Sequence, residues 1–396
     1  MLQTIIDFGN IELFGLSLTP RIYGYGLMLV LGFISGIWLA HWRAKRMGEN
    51  HETVTVVGIL SLVGGIVGAR LAFILQNWSQ FSKSHEGLSG IIDVTSGGLI
   101  YYGGVLLGTL MVVLYLRHKR IAIRRYLDIV AVSLMVGLAF GRAGCFLNGC
   151  CYGGKCDADW PLATQFPMYS KPLLKFDGRP NPFSVGSQGV SPVYAHQLEQ
   201  RAIALHKLGK SDSPALAAKE QFDGLLNPDP TLVDSTSIPR SIPYTHDGKK
   251  AFAPVLPLLP PESFSDEQVH VASASLSLPI RPAQALGFFN ALLLAALLCA
   301  FFRHRRREGQ VFAVLLIVYP ITRFLLEGIR IDTALHYGMT HNQYTSLATV
   351  AAGIFMLFVI SKLPPSAGPT WAERLTAAKA RENVRSSAPK RDKRKR

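Results

Sequence analysis

VFAVLLIVYPITRFLLEGIR, residues 311–330, is an apolar run of membrane-crossing length that carries Arg323 and Glu327 and ends on Arg330. An ionised side chain is costly at such depth, and its retention there marks a substrate or proton path by default. The spacing i, i+4, i+7 predicts that Arg323, Glu327 and Arg330 share one helical stripe, with the carboxylate able to pair with either guanidinium. Arg70 and Arg142 occupy comparable positions in two other apolar runs.

Working outward, hydrophobic residues make up 49% of the 396 and charged residues only 17%, and the apolar ones fall in long blocks. The blocks predict seven spans: Ile22 to Trp42, Val54 to Leu75, Leu99 to Leu116, Tyr126 to Leu147, Ala283 to Phe302, Val311 to Ile329 and Tyr344 to Leu363. The fold class is an all-α polytopic membrane protein. Lys and Arg next to spans are retained in the cytoplasm. Arg43, Lys45 and Arg46, then Arg117 to Arg125, then Arg303 to Arg307, and finally the tail from Lys390 to Arg396 all obey one orientation. The N-terminus is expected outside and the C-terminus in the cytoplasm.

Asp7 and Glu12 replace the basic start of a cleavable leader, so the first span is expected to serve as the address. Met1 to Pro20 reads either as an amphipathic stretch on the outer surface or as a disordered leader. The seven spans place residues 1–153 and 280–363 in one membrane domain, 154–279 in a large extracytoplasmic insertion between helices 4 and 5, and 364–396 in a basic tail. The insertion is rich in Pro, Ser and Asp, and Tyr194 to Phe222 suits a small helical cap. No internal repeat is visible. The net charge of +15 sits in the cytoplasmic loops and tail without interleaved aromatics, which excludes a nucleic-acid partner.

On this map the polar residues within spans converge on the outer half: Tyr25, Arg70, Tyr102 with Gly103 and Gly104, Arg142, Asn148, Gln284, and Arg323 with Glu327 and Arg330. A guanidinium-lined cavity under the outer face suits an anion already at the interface, because arginine grips phosphate through a planar fork. Phospholipid headgroups meet that description.

The sharpest local pattern is GRAGCFLNGCCYG, residues 141–153. It resembles the prolipoprotein diacylglyceryl transferase signature G-R-x-G-N-F-x-N-G-x-x-x-G, with Gly141, Arg142, Gly144, Phe146, Asn148, Gly149 and Gly153 matching and Cys145 in place of the first Asn. Tyr25-Gly26, Gly68-Ala69-Arg70, Gly103-Gly104, Pro282 with Gln284, Tyr319 with Arg323, Glu327, Arg330 and Asp332, and Gln343 extend the resemblance over all seven spans.

The resemblance implies transfer of the diacylglyceryl group of phosphatidylglycerol to the lipobox cysteine thiol of a preprolipoprotein, with glycerol phosphate released. It implies a bacterial inner-membrane enzyme, monomeric, with its site on the extracytoplasmic side and with neither cofactor nor metal. Arg142, Arg323 and Tyr102 would be catalytic. Tyr25, Arg70, Gly103, Gly104, Asn148, Gly153, Gln284, Glu327 and Arg330 would bind substrate. Such chemistry needs cations where phosphate charge develops and an acceptor for the thiol proton. Tyr102 stands where His is usual and is expected to position substrate, since an unshifted phenol is a poor base. Arg281 also replaces a usual His.

Cys145, Cys150, Cys151 and Cys156 lie close together in sequence, and Cys299 stands apart. A disulfide from Cys156 to Cys150 or Cys151 is one expectation in an oxidising location. The spacing, without paired C-x-x-C or a nearby His, disfavours a metal. The cluster also raises a rival, a membrane thiol-disulfide oxidoreductase, against which no second outer cysteine pair appears. An anion transporter would use the same arginines, but no repeat-related halves are seen. A diverged inactive paralogue is the remaining alternative.

Overall fold

The computed structural model describes residues 3–8, 11–13, 16–18, 21–78, 100–169, 174–175, 191, 193–194, 196–197, 200, 240–246, 249–255, 270, 272–274, 276–330, 335–336, 338–366, 370–373, 376–377 and 380. Long helices dominate: α1 (Gly24–Arg46), α2 (His51–Gln76), α3 (Tyr101–His118), α4 (Ile123–Asn148), α5 (Ala283–His304), α6 (Gln310–Glu327) and α7 (His341–Lys362). All except α3 are long and apolar enough to cross a membrane. The 18 residues of α3 include Tyr101, Tyr102, three glycines and a basic last turn, which dilute its hydropathy. Large apolar side chains are widely exposed, among them Leu106 at 74%, Leu293 at 70% and Phe355 at 67%. Exposure on that scale suits lipid rather than water. The chain is a mostly helical, multi-pass membrane protein.

Short strands lie outside the long helices. β1 (Thr4–Asp7) pairs antiparallel with β4 (Arg21–Tyr23) and parallel with β5 (Leu174–Lys175), while β2 (Ile11–Leu13) and β3 (Leu16–Leu18) form a hairpin. The described residues of the N-terminal stretch are thus held in strands rather than in a loose leader. Buried Asp7 pairs with Arg21 at 3.6 Å, which locks β1 onto β4. Two further hairpins join β6 (Arg240–His246) to β7 (Lys249–Val255) and β8 (Leu335–His336) to β9 (Met339–Thr340). Most of the expected cap helix, Tyr194 to Phe222, lies outside the described residues, as does Asp332.

The chain divides into two compact units: Met1–Gly32, Gly137–Leu293 and Tyr319–Ala348 form one, and Phe33–Val136, Leu294–Val318 and Thr349–Arg396 the other. In the second, α2 and α3 cross on glycine. A Cβ at Gly104 would sit 2.6 Å from the Gly65 carbonyl oxygen, and one at Gly108 would sit 3.1 Å from that of Ser61. Such backbone approach is the use small residues serve in membrane helices.

The same unit shows how the loop arginines are used. Asp128 is fully buried and accepts from the Gly309 amide at 2.7 Å, the Phe312 amide at 3.1 Å and Arg305 Nη1 at 3.1 Å. It thereby satisfies the orphan N–H groups that open α6. Arg125 donates to Glu308 at 2.6 Å, to Glu49 and to Ser366. Arg124 reaches the Pro364 carbonyl, and Arg307 those of Ile360 and Leu363, closing the end of α7.

In the first unit, the chain after α4 and the chain before α5 are joined by short bridges. Ile280 bridges both Lys155 and Thr164, Pro167 bridges Leu276, and Gln197 exchanges two bonds with the Leu278 backbone. Tyr152, Phe166, Val193 and Ile280 form a small buried cluster beside them. Burial pushes the Tyr194 phenol there up to about 12.

Asp128→Ala is expected to lower stability by about 3 kcal/mol, since it strands Arg305 and two helix-start amides. Thermal unfolding in detergent tests this, and an unchanged midpoint would contradict it.

Candidate functional site

The first unit gathers Tyr25, Arg142, Asn148, Gly153, Gln284, Arg323, Glu327 and Arg330. Arg70, Tyr102, Gly103 and Gly104 belong to the second. There Arg70 is buried with its guanidinium 5.4 Å from the Phe73 ring centroid, and Tyr102 is 49% exposed against Tyr101. Gly103 packs on Gly68 and Ala72 of α2.

The end of α4 is built by the signature itself. The Gly149 amide donates to the Phe146 carbonyl at 3.2 Å and the Cys150 amide to the Cys145 carbonyl at 3.1 Å, with Gly149 at φ +72°. This is a Schellman termination, and its left-handed residue favours glycine. The turn folds the chain back, so that Cys150 and Cys151 return toward Cys145. Gln3 Nε2 caps the Asn148 carbonyl at 3.3 Å, which ties the N-terminal strand to the helix end. The Asn148 side chain lies beside the Cys150 thiol.

Gly144 explains another signature position: a Cβ there would lie 3.0 Å from Tyr25 Cδ2 and 3.2 Å from Met28 Cβ, so α1 approaches α4 closely at Tyr25. Gly153 lies between two segments. It donates to the Arg281 carbonyl at 2.9 Å and bridges Arg330, and a Cβ on it would meet the Arg281 oxygen at 2.6 Å. Gln284, fully buried, donates to the Cys150 carbonyl at 2.8 Å, leaving its own buried Oε1 without a hydrogen bond.

Glu327 is 1% exposed. Its Oε1 accepts from Asn342 Nδ2 at 2.8 Å and from Thr340 Oγ1 at 3.4 Å, while its Oε2 lies 3.3 Å from Arg323 Nη2 as an ion pair rather than an aligned hydrogen bond. The shared stripe holds for Arg323 and Glu327 only. α6 ends at Glu327, and three tight turns carry the chain to Arg330, whose backbone bridges Gly153. Gly328 breaks the helix before the third position is reached. Arg142 and Arg330 both bear on Arg323 as like charges.

Three contributors escaped the sequence reading. Gly287 gives passage to Arg142: a Cβ there would lie 3.1 Å from Arg142 Cδ and 3.2 Å from Nε. Thr340 and Asn342 hold Glu327. A signal for the latter pair existed, because Thr340 and Gln343 form the reciprocal capping box of α7, with bonds of 3.2 and 2.9 Å. Gln343 therefore closes a helix end.

All five cysteines are free, and the expected disulfide from Cys156 is not formed. Instead the thiols of Cys145, Cys150 and Cys151 lie within 4.8 Å of one another, a grouping that linear spacing hid because the turn creates it. Hydrogen bonds from Cys145 and Cys150, and after them the charges of Arg330 and Arg142, hold the Cys151 thiol below the usual thiol range. Burial pushes that of Cys156 up.

The family model for prolipoprotein diacylglyceryl transferase matches residues 13–359 of this chain. The chain belongs to that family. Curated relatives named phosphatidylglycerol–prolipoprotein diacylglyceryl transferase include one from Rhodopirellula baltica, 29% identical over 371 residues, covering 85% of this chain and 72% of the relative. Another, from Bdellovibrio bacteriovorus, is 26% identical over 374 residues, covering 88% and 91%. One from Clostridium tetani is 36% identical over a shorter 142 residues, 36% of this chain and 54% of the relative. For a diacylglyceryl transferase family member the redox and transporter readings are not favoured. The paired carboxylate and the arginines of the first unit are then the natural centre of attention.

Glu327→Ala is expected to cost about 3 kcal/mol by leaving Arg323 without its partner, and Asn342→Ala to cost less, about 1.5 kcal/mol. Thermal unfolding of both variants in detergent reads the order, and an Asn342 variant that is the less stable would contradict it.

Proposed function

We propose that this chain transfers the diacylglyceryl group of phosphatidylglycerol to the lipobox cysteine thiol of preprolipoproteins, forming a thioether and releasing glycerol phosphate. The observation that carries this reading is the grouping of Arg142, Arg323 and Arg330 in one unit with Glu327 paired to Arg323, inside a chain of this family. Pairing one guanidinium leaves positive charge for a phosphate ester.

In this mechanism Arg142 and Arg323 grip the phosphate, and they stabilise it further as the glycerol C–O bond breaks and charge builds on the leaving group. The substrate thiol gives up its proton to water or to the departing glycerol phosphate, and its sulfur bonds to the diacylglyceryl carbon as the C–O bond to phosphate breaks. Removing that proton is a modest task, because a free thiol titrates near pH 8.5. Tyr102 positions substrate. Glu327, held by Asn342 and Thr340, orients Arg323, while Gln284 and Gly153 fix the backbone beside Cys150 and Arg330. Tyr25 and Asn148 hydrogen-bond the headgroup, and Arg70, Gly103 and Gly104 are proposed as further substrate-binding residues. The unpartnered Gln284 Oε1 supports a polar ligand, such as a glycerol hydroxyl, at that point.

The proposed setting is the bacterial inner membrane, with α3 as a seventh span, the N-terminus and site extracytoplasmic, and the tail cytoplasmic. The basic residues flanking the spans support that orientation. Residues 1–153 and 280–363 would form the catalytic domain of a monomer, and 154–279 the insertion.

The test is incubation of purified protein with glycerol-labelled phosphatidylglycerol and a lipobox peptide. Arg142→Ala and Arg323→Ala are each expected to reduce label on the peptide by roughly a hundredfold or more, whereas Cys150→Ser/Cys151→Ser retains transfer. No transfer by folded wild type would overturn the reading. In the same assay Gly287→Val, which crowds Arg142, is expected to lose about tenfold or more while its unfolding midpoint stays near wild type.

A further inference from the structure

Three thiols that the transferase chemistry does not use converge at the end of α4. Cys145, Cys150 and Cys151 are free, and their Sγ atoms lie within 4.8 Å of one another. The backbone that presents them is fixed at several points. The Schellman bond joins the Cys150 amide to the Cys145 carbonyl, Gln284 holds the Cys150 carbonyl at 2.8 Å, and Gly153 is pinned to Arg281 and Arg330. Cys151 is held at φ +60°, a conformation uncommon for a residue with a side chain, which the surrounding bonds impose.

A metal bound at the usual zinc–sulfur length of about 2.3 Å keeps its sulfur ligands roughly 4 Å apart. The observed trio is already gathered to nearly that spacing. Thiolates are soft ligands and select Zn(II) or Cu(I) over harder cations. Three thiolates around either ion leave a net negative charge, and Arg142 and Arg330, which bear on Cys151, offset it. We propose that Cys145, Cys150 and Cys151 form a three-thiolate site for a thiophilic d10 cation, Zn(II) or Cu(I). Three protein ligands leave a tetrahedral ion one open position. This inference concerns ion binding alone, and its readout is independent of transferase activity.

The test uses the full-length protein in detergent, with all five thiols first shown to be reduced. It is dialysed against Zn(II) or, without oxygen, Cu(I), and then against a weak chelator. Retention of one ion per chain is expected for at least one of the two metals, and which ion is retained distinguishes them. Cys145→Ser, Cys150→Ser and Cys151→Ser should each weaken retention more than about tenfold, and Cys156→Ser and Cys299→Ser should leave it unchanged.

A second measurement needs no variant. Cleavage after Arg142 and Lys155 places the three cysteines on one peptide and Cys156 on the next. Bound metal should shield the first peptide from alkylation at least tenfold while leaving the second as reactive as before. Failure of both metals to be retained, retention undiminished in the three variants, or equal alkylation of the first peptide with and without metal would each overturn the proposal.

Discussion

A charge inside an apolar bundle must be bonded or it expels the element that carries it, and both units are organised around that constraint. In one, Glu327 takes a hydrogen bond from Asn342 and another from Thr340 on one oxygen while Arg323 faces the other. In the second, Asp128 performs a comparable service for the start of α6 and for Arg305. In each case a buried carboxylate is supported by groups from a neighbouring helix end, so the polar networks double as joints between helices. Chains of this kind specify geometry more than they add stability, because desolvation offsets much of the attraction.

The helical architecture was legible because lipid leaves the backbone few alternatives, and the apolar runs coincide with helices to within a few residues. α3 shows the limit. Its glycines serve packing against α2, and with its tyrosines they lower the hydropathy by which a span is recognised. The N-terminal strands were not legible, since β1 is completed by β4 and by β5, the last of which lies more than 150 residues away. A periodicity argument sees only neighbours in sequence.

At the candidate site, the family signature concealed what its turn of chain does. Asn148-Gly149 reads as a binding motif, yet its first visible effect is to terminate α4 and to return two cysteines toward a third. Arg330 appeared to continue the α6 stripe, whereas Gly328 ends the helix and makes Arg330 part of a bridge to Gly153. Gly287 carried no chemical signal at all, because its contribution is the absence of a side chain where Arg142 passes. Such space-making residues become visible only once the neighbour is placed.

The arginines that carry the proposed orientation also hold helix ends together: Arg124, Arg125, Arg305 and Arg307 reach carbonyls and carboxylates across the loops. Insertion direction and folded packing are thus written in the same side chains. A chain threaded the wrong way would set these groups against the translocation preference and would also be unable to close its bundle on the proper side. Errors of insertion would consequently present themselves as errors of folding, open to removal by whatever degrades loose membrane helices, without any separate inspection of topology.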